Sequence, residues 1–185
     1  MTSYVSLLVF VLAVALPDLV FCWEGKVVGV SDGDTIKVMF KGRAEKVRLF
    51  GVDCPEQDQD FGSKAKQFTS NMVYGKVVEV EPVDRDQYGR ILAWVTVDGK
   101  SLNRELLRSG MAWWYRSYAG KDLELRQLER EARKSRVGLW SHPDPVPPWK
   151  FRRHRMDESR SNTWLPVNRS FAIESPAPDC QLIGL

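Results

Sequence analysis

Histidine is scarce in this chain: His142 and His154 are the whole supply, and both lie toward its C-terminal end. A zinc or iron centre built on imidazole is therefore disfavoured. Cysteine is nearly as sparse, since Cys22, Cys54 and Cys180 lie far apart with no C-x-x-C pair. That excludes a zinc ribbon, a thioredoxin-like motif and a dense disulfide scaffold, so the fold must stand on its apolar core. Spacing does not decide whether Cys54 and Cys180 pair or remain two free thiols, because a disulfide requires a specific separation in space. There is no internal repeat and no long low-complexity tract. Nor is one sign of charge in large excess: 27 basic against 24 acidic residues leave a formal charge of +3. Such a balance suits a phosphate-rich partner without identifying one.

What is present fits one domain with a proper core, since the chain has 185 residues of which 43% are hydrophobic. Two comfortable domains would need more. Residues 4–16 are almost wholly apolar and are broken by Pro17 and Asp18 before Leu19-Val20-Phe21-Cys22. This pattern reads as a signal peptide over residues 1–22, with cleavage after Ala15 or near Cys22. A spanning helix needs roughly 20 apolar residues, so the broken stretch is a poor permanent anchor. The expected destination is secreted or periplasmic, with no stable membrane insertion once the leader is removed.

Residues 24–141 read as the domain itself. β-Branched runs at 27–30, 35–38 and 47–52 predict three strands, with turn signals at Asp32-Gly33 and Lys41-Gly42. Ala65, Phe68 and Met72 lie at helical spacing within 63–74, before a capping Gly75. Two more strands are predicted over 76–83 and 91–97, with a charged loop at residues 84–89 between them. A short helix follows Ser101 and carries Leu102, Leu106 and Leu107. A longer helix, 122–136, turns Leu125, Leu128 and Ala132 inward. Three strands, a helix, two strands and further helices suit an α+β, mainly β, architecture: a five-stranded OB-fold Greek-key barrel with three helices. After Val137-Gly138-Leu139-Trp140, the prolines at 143, 145, 147 and 148 predict an extended tail over 142–185. Its basic run Arg152-Arg153-His154-Arg155 is left without an assigned element.

Two turns concentrate acid: Asp32-Gly33-Asp34-Thr35 and Asp53-Cys54-Pro55-Glu56. Each follows a predicted strand, where carboxylates converge readily, and hard oxygen ligands without nearby histidine suit calcium. Asp-Gly alone is an ordinary turn. Arg48, inside a buried-looking strand, is open to two readings, a bidentate phosphate contact or an ion pair with a neighbouring carboxylate. Arg90, taken singly, is a loop charge.

Taken in order, Asp32-Gly33-Asp34-Thr35, Val47-Arg48-Leu49, Val52-Asp53-Cys54-Pro55-Glu56 and Asp86-Gln87-Tyr88-Gly89-Arg90 resemble the staphylococcal nuclease, or thermonuclease, family. The likeness runs from about Gly25 to Trp140 and includes Ala93, the Asp98-Gly99 turn and Leu107-Arg108-Ser109-Gly110. It implies an OB-fold barrel and a Ca2+-dependent endonuclease, a phosphodiesterase hydrolysing DNA and RNA to products with 3'-phosphate ends. By the same resemblance, Asp34, Asp53 and the backbone carbonyl of Cys54 hold calcium, Glu56 is the general base, and Arg48 and Arg90 clamp the phosphate. Tyr88, Tyr118 and Tyr115 are the expected nucleotide contacts. Of Trp113 and Trp114, at least one is expected in the core.

The chain departs from the family at Cys54, where only a carbonyl is required, and at Gln87, where a lysine can assist phosphate binding. Its expected partners are DNA and RNA substrates, and a monomer is expected. A non-catalytic OB-fold nucleic-acid-binding module is the alternative. It predicts gaps among the key residues, and Asp34, Arg48, Asp53, Glu56 and Arg90 are all present.

Overall fold

Buried and exposed side chains alternate along the first half of β1 (Trp23–Asp32), the period-2 signature of a strand with one face on a core. β2 (Thr35–Phe40), β3 (Arg43–Leu49) and the two-residue β4 (Val52–Asp53) follow. The computed structural model describes residues 22–162. The leader expected over 1–22, except its last position, and the end of the tail with Cys180 lie outside the described residues. Among those described, no helix is long and apolar enough to cross a membrane.

The chain continues through helix α1 (Gly62–Val73), strands β5 (Val77–Arg85), β6 (Ile91–Val97) and β7 (Lys100–Ser101), and helix α2 (Leu102–Arg108). Beyond these lie β8 (Trp113–Trp114), the single-turn α3 (Arg116–Ala119), α4 (Leu123–Lys134), a 3-10 turn (Gly138–Ser141) and α5 (Pro148–Asn162). The main sheet runs β3-β2-β1-β5-β6-β7, and a further pairing of β3 with β6 closes it. The closing pair is parallel, with Arg48 opposite Leu92; the other neighbours are antiparallel. The result is the expected five-stranded barrel of OB type. α1, α2 and α4 are the three predicted helices, while α3, the 3-10 turn and α5 add to the expected set.

Closure brings Val27, Ile36, Val38, Val47, Leu49, Val80 and Val95 into one buried cluster, capped by Leu102, Leu106 and Leu107 of α2. Each such side chain contributes on the order of 1.5–3 kcal/mol by leaving water. Asn103 is the polar knot of this core. Fully buried, it accepts from the Val95 amide at 3.1 Å and donates to the carbonyls of Phe50 at 2.9 Å and Ala93 at 3.2 Å. It thereby ties α2 to the end of β3, the strand that carries Arg48.

α4 begins at the Asp122 cap, whose side chain accepts from the Leu125 amide. It buries Leu125, Leu128 and Ala132 as the periodicity predicts, and Glu129 with them. The Trp114 amide donates to the Glu129 carboxylate at 3.2 Å, which pins the segment leading into Tyr115. Both tryptophans of that segment are buried: Trp114 joins the barrel core, and Trp113 joins a second cluster with Ala132, Leu139 and Trp140.

Trp149 packs on this second cluster, 5.7 Å from the Trp113 ring and 6.1 Å from the Tyr115 ring. The tail here is helical where the proline run predicted an extended chain. Pro148 is the first residue of α5, the position in a helix where a missing N–H costs nothing and a fixed φ helps. The amides of Lys150 and Phe151 then donate to the Pro147 carbonyl and close the first turn.

Candidate active site

The turn between β1 and β2 pairs Asp32 with Thr35, so its two-residue loop is Gly33-Asp34. Gly33 has no room for a side chain: a Cβ would lie 2.7 Å from the Cys54 Cβ and 2.9 Å from that of Ala65. This close approach lets the turn dock on the segment after β4. There the Cys54 amide donates to the Asp34 carboxylate at 2.6 Å, and the Thr35 hydroxyl donates to its other oxygen at 3.2 Å. The Asp34 carbonyl accepts from the Leu49 amide, binding the loop to the end of β3.

β3 reaches β4 through Gly51, at φ 75°, a left-handed conformation that glycine adopts without strain. The bend carries Asp53 beneath the same turn. Arg48 lies between the two acids: its guanidinium pairs with Asp34 through Nη1 and donates to Asp53 at 2.6 Å and to the Val52 carbonyl at 3.4 Å through Nη2. Both carboxylate side chains are almost inaccessible, at 5% and 1% exposed. Desolvation of this order is tolerated only with a charged partner. The ion-pair reading of Arg48 is therefore realised, and the residue also faces the cleft. Burial is the largest influence on the Cys54 thiol and pushes its pKa well above the ordinary value, outweighing the lowering effect of Arg48.

Glu56 follows Pro55, its amide donating to Gln59 Oε1 at 3.2 Å and its carboxylate partly exposed. Arg90 is held at the cleft by a loop that Asp86 organises. The Asp86 carboxylate accepts from the Tyr88 and Arg90 amides, each at 2.9 Å, and from Arg90 Nε at 2.6 Å. Desolvation acts to raise the Asp86 pKa, but the hydrogen bonds from the Arg90 side chain and the two amides outweigh it and hold the carboxyl below its usual value. Because Arg90 binds Asp86 through Nε, its Nη groups are left for another anion.

Tyr88 is 75% exposed, with the Arg90 guanidinium 5.6 Å from its ring. The Tyr115 and Tyr118 rings meet edge-on at 4.9 Å. Partial burial, then Tyr115 and Asp86, raise the Tyr118 pKa, so that side chain is a neutral hydroxyl at ordinary pH.

Asp34, Arg48, Asp53, Cys54, Glu56, Tyr88, Arg90, Tyr115 and Tyr118 all line one cleft of about 380 Å3, with Asp32, Pro55 and Gln87. Every site residue expected from sequence is brought together there. So is one that sequence reasoning missed. Arg152 of α5 donates to Glu56 at 2.6 Å through Nη1 and to Asp53 at 2.9 Å through Nη2. Its only signal in the sequence is membership of a basic run, and nothing in that run says which arginine turns inward.

The donor chemistry here fits a hard divalent cation. Two buried carboxylates and Cys54 line a polar cleft, and the Arg152 guanidinium already stands as a cation against one of those carboxylates. Among the described residues, no three acidic, histidine or cysteine side chains gather as a group that could by itself hold a metal ion. An open set of this kind suits calcium, which completes its shell with carbonyls and water.

A sequence model of the family described as "Staphylococcal nuclease homologue" matches residues 46–142. That span contains Arg48, Asp53, Cys54, Glu56 and Arg90, while Asp34 and Arg152 lie outside it. A protein of Escherichia coli named as an uncharacterized endonuclease is 43% identical over 156 residues, covering 84% of this chain and 99% of that protein. A protein of Shigella flexneri named micrococcal nuclease is 39% identical over 142 residues, covering 71% of this chain and 81% of its own. The Arabidopsis thaliana protein named staphylococcal-like nuclease CAN1 is 37% identical over 110 residues, covering 60% of this chain and 34% of its own.

Proposed function

The chain belongs to the staphylococcal nuclease family, and on that footing we propose that it is a calcium-dependent endonuclease hydrolysing DNA and RNA to products with 3'-phosphate ends. One observation carries the reading. Asp34, Arg48, Asp53, Glu56 and Arg90 come from four separate stretches of sequence and face one polar cleft. A barrel that merely bound nucleic acid would have no use for two carboxylates buried beneath a phosphate-binding surface.

Calcium bound by Asp34, Asp53 and the Cys54 carbonyl would supply a fixed positive charge against a phosphoryl oxygen. Glu56, the accessible carboxylate of the set, takes a proton from the water that attacks phosphorus, a role worth roughly 100- to 10,000-fold in rate. Arg48 spends part of its five-donor guanidinium on Asp34, Asp53 and Val52 and turns its remaining donors to the phosphate. Arg90 offers both Nη groups. Together they stabilise the charge that grows on the equatorial oxygens, and one such donor is worth about 3–4 kcal/mol in comparable sites. Tyr88, Tyr115 and Tyr118 offer faces for bases to stack on. The apolar leader over residues 1–22 supports export, and the basic excess of the chain supports a polyanionic substrate.

The test is cleavage of plasmid DNA and of RNA by the purified full chain, in calcium and in a chelator. Cleavage in calcium alone is expected, with 3'-phosphate ends identified by resistance of the products to 3'-end extension until a phosphatase is added. Glu56→Gln should lower turnover by roughly 100- to 10,000-fold while calcium binding, followed by titration calorimetry, stays near that of the parent chain. Retention of DNA on a filter without any cleavage would instead mark a binding module.

A further inference from the structure

We propose that α5 is a latch on the active centre, in which the Arg152 guanidinium occupies the cation's place between Asp53 and Glu56, so that calcium binding and release of the latch are a single exchange. The proposal rests on the calcium reading above and concerns a residue outside the span the family model matches.

Arg152 donates to the Glu56 carboxylate at 2.6 Å and to both Asp53 oxygens, at 2.9 and 3.4 Å. Asp53 is assigned to the metal and Glu56 to the attacking water, so one side chain engages both functions at once. A fork with two carboxylates at charge-assisted distance is a strong contact. Desolvation works against the cation, but the hydrogen bonds and charges of Asp53 and Glu56 outweigh it and raise the Arg152 pKa above the ordinary guanidinium value. The group therefore stays positive at any pH at which the carboxylates are ionised. Arg48 already takes one Asp53 oxygen and Arg152 the other, so a divalent ion reaches this carboxylate by displacing a guanidinium, and of the two Arg152 is the more exposed. On that Glu56 oxygen Arg152 competes with a water for a lone pair.

The rest of α5 is attached in a way that permits opening. Its apolar anchor is Trp149, packed on Trp113 and Tyr115 at the N-terminal end. The residues from Arg153 to Arg160 are exposed. Beyond Arg152, the helix is tied to the barrel by Arg155 and Asp58 at 2.9 Å, a pair with both side chains more than half exposed, and pairs of that kind hold little. Lifting the helix about Trp149 leaves the barrel core intact and breaks the Arg152 contact, which calcium replaces.

The experiment compares calcium titration calorimetry on the full chain, Arg152→Gln and Arg155→Gln. Backbone hydrogen exchange over residues 148–162 is followed with and without calcium. Charge-assisted hydrogen bonds of this kind convert to a gain of about 10- to 100-fold in calcium affinity when Arg152 is removed. Arg155→Gln, which removes the same charge from the same helix, should change affinity by about twofold or less. Added calcium should speed exchange over 148–162 in the parent chain, and Arg152→Gln should show that faster exchange without calcium, with β1 to β6 still protected. Equal affinity in the parent and Arg152→Gln overturns the proposal, as does an equal gain in both variants, which would be a general charge effect. Absence of calcium binding in all three proteins refutes the calcium reading, and the exchange falls with it. Binding of equal strength refutes the exchange alone.

Discussion

Replacing Arg48 by lysine keeps a positive charge near Asp34 and Asp53 but removes the fork that spans them. The two carboxylates are reached through different guanidinium nitrogens, and their side chains are 5% and 1% exposed. An ammonium on a single stem satisfies one of them and leaves the other to its remaining partners, Arg152 for Asp53 or the Cys54 amide and Thr35 hydroxyl for Asp34. The lost bond is charge-assisted, worth about 1.5–3 kcal/mol, short of the roughly 3–5 kcal/mol that follows complete removal of a partner from a buried pair. With a urea dependence of about 1–3 kcal/mol per molar, the unfolding midpoint should fall by roughly 0.5–3 M. Trp113, Trp114 and Trp140, all buried, make intrinsic fluorescence a suitable reporter. Assayed where both proteins remain folded, cleavage should drop by about 100-fold or more, the value of one fixed donor to the transition state. An unchanged midpoint would refute the bridging role derived from the geometry. A lowered midpoint with a normal rate would leave Arg48 as an internal ion pair and remove it from the phosphate site.

Asn103→Ala strips three hydrogen bonds from the barrel's polar knot and leaves the Val95 amide and the Phe50 carbonyl unpaired. A loss of about 2–4 kcal/mol in urea unfolding is expected, and a loss below about 0.5 kcal/mol, the range of ordinary surface substitutions, would show the knot to be dispensable. Asp86→Asn should loosen Arg90 and weaken cleavage with little change in calcium binding. The pH dependence of its effect on stability has a definite sign. The folded pKa of Asp86 is lowered, so its contribution is fully present above the unfolded value of about 4 and disappears as pH falls through the lower folded value. The difference in urea midpoint between parent and variant should thus be flat from neutral pH down to about 4 and shrink only below it. Shrinkage already between pH 7 and 5 would contradict the assignment.

Much of this molecule is legible in its sequence for identifiable reasons. The strands declare themselves through β-branched runs and the turns through Asp-Gly and Lys-Gly. α1 and α4 do so through apolar spacing, because local sterics and a one-sided core act over a few residues at a time. The candidate site is legible through order rather than through any single residue, since Asp32-Gly33 or Arg90 alone is an ordinary surface feature. The helix at the C-terminal end was not legible. A proline run predicts an extended chain, yet Pro148 opens a helix, because whether the last proline of a run ends an extended segment or begins a helix depends on what the following side chains pack against. Trp149 finds Trp113 and Tyr115, partners more than 30 positions away in the chain.

The sequence by itself determined the barrel's elements, the family and the residues of the cleft other than Arg152, because these follow from periodicity, turn chemistry and a run of motifs in fixed order. Only the tertiary structure decided how the charges are shared. Arg48 bridges Asp34 and Asp53 because β3 passes between the two turns. Arg90 is held by Asp86 within its own loop. Arg152 enters the cleft because α5 is anchored at Trp149 with that face toward Asp53 and Glu56. Charge partnership depends on distance in space, and nothing in the spacing of residues 53, 56 and 152 along the chain encodes that they meet.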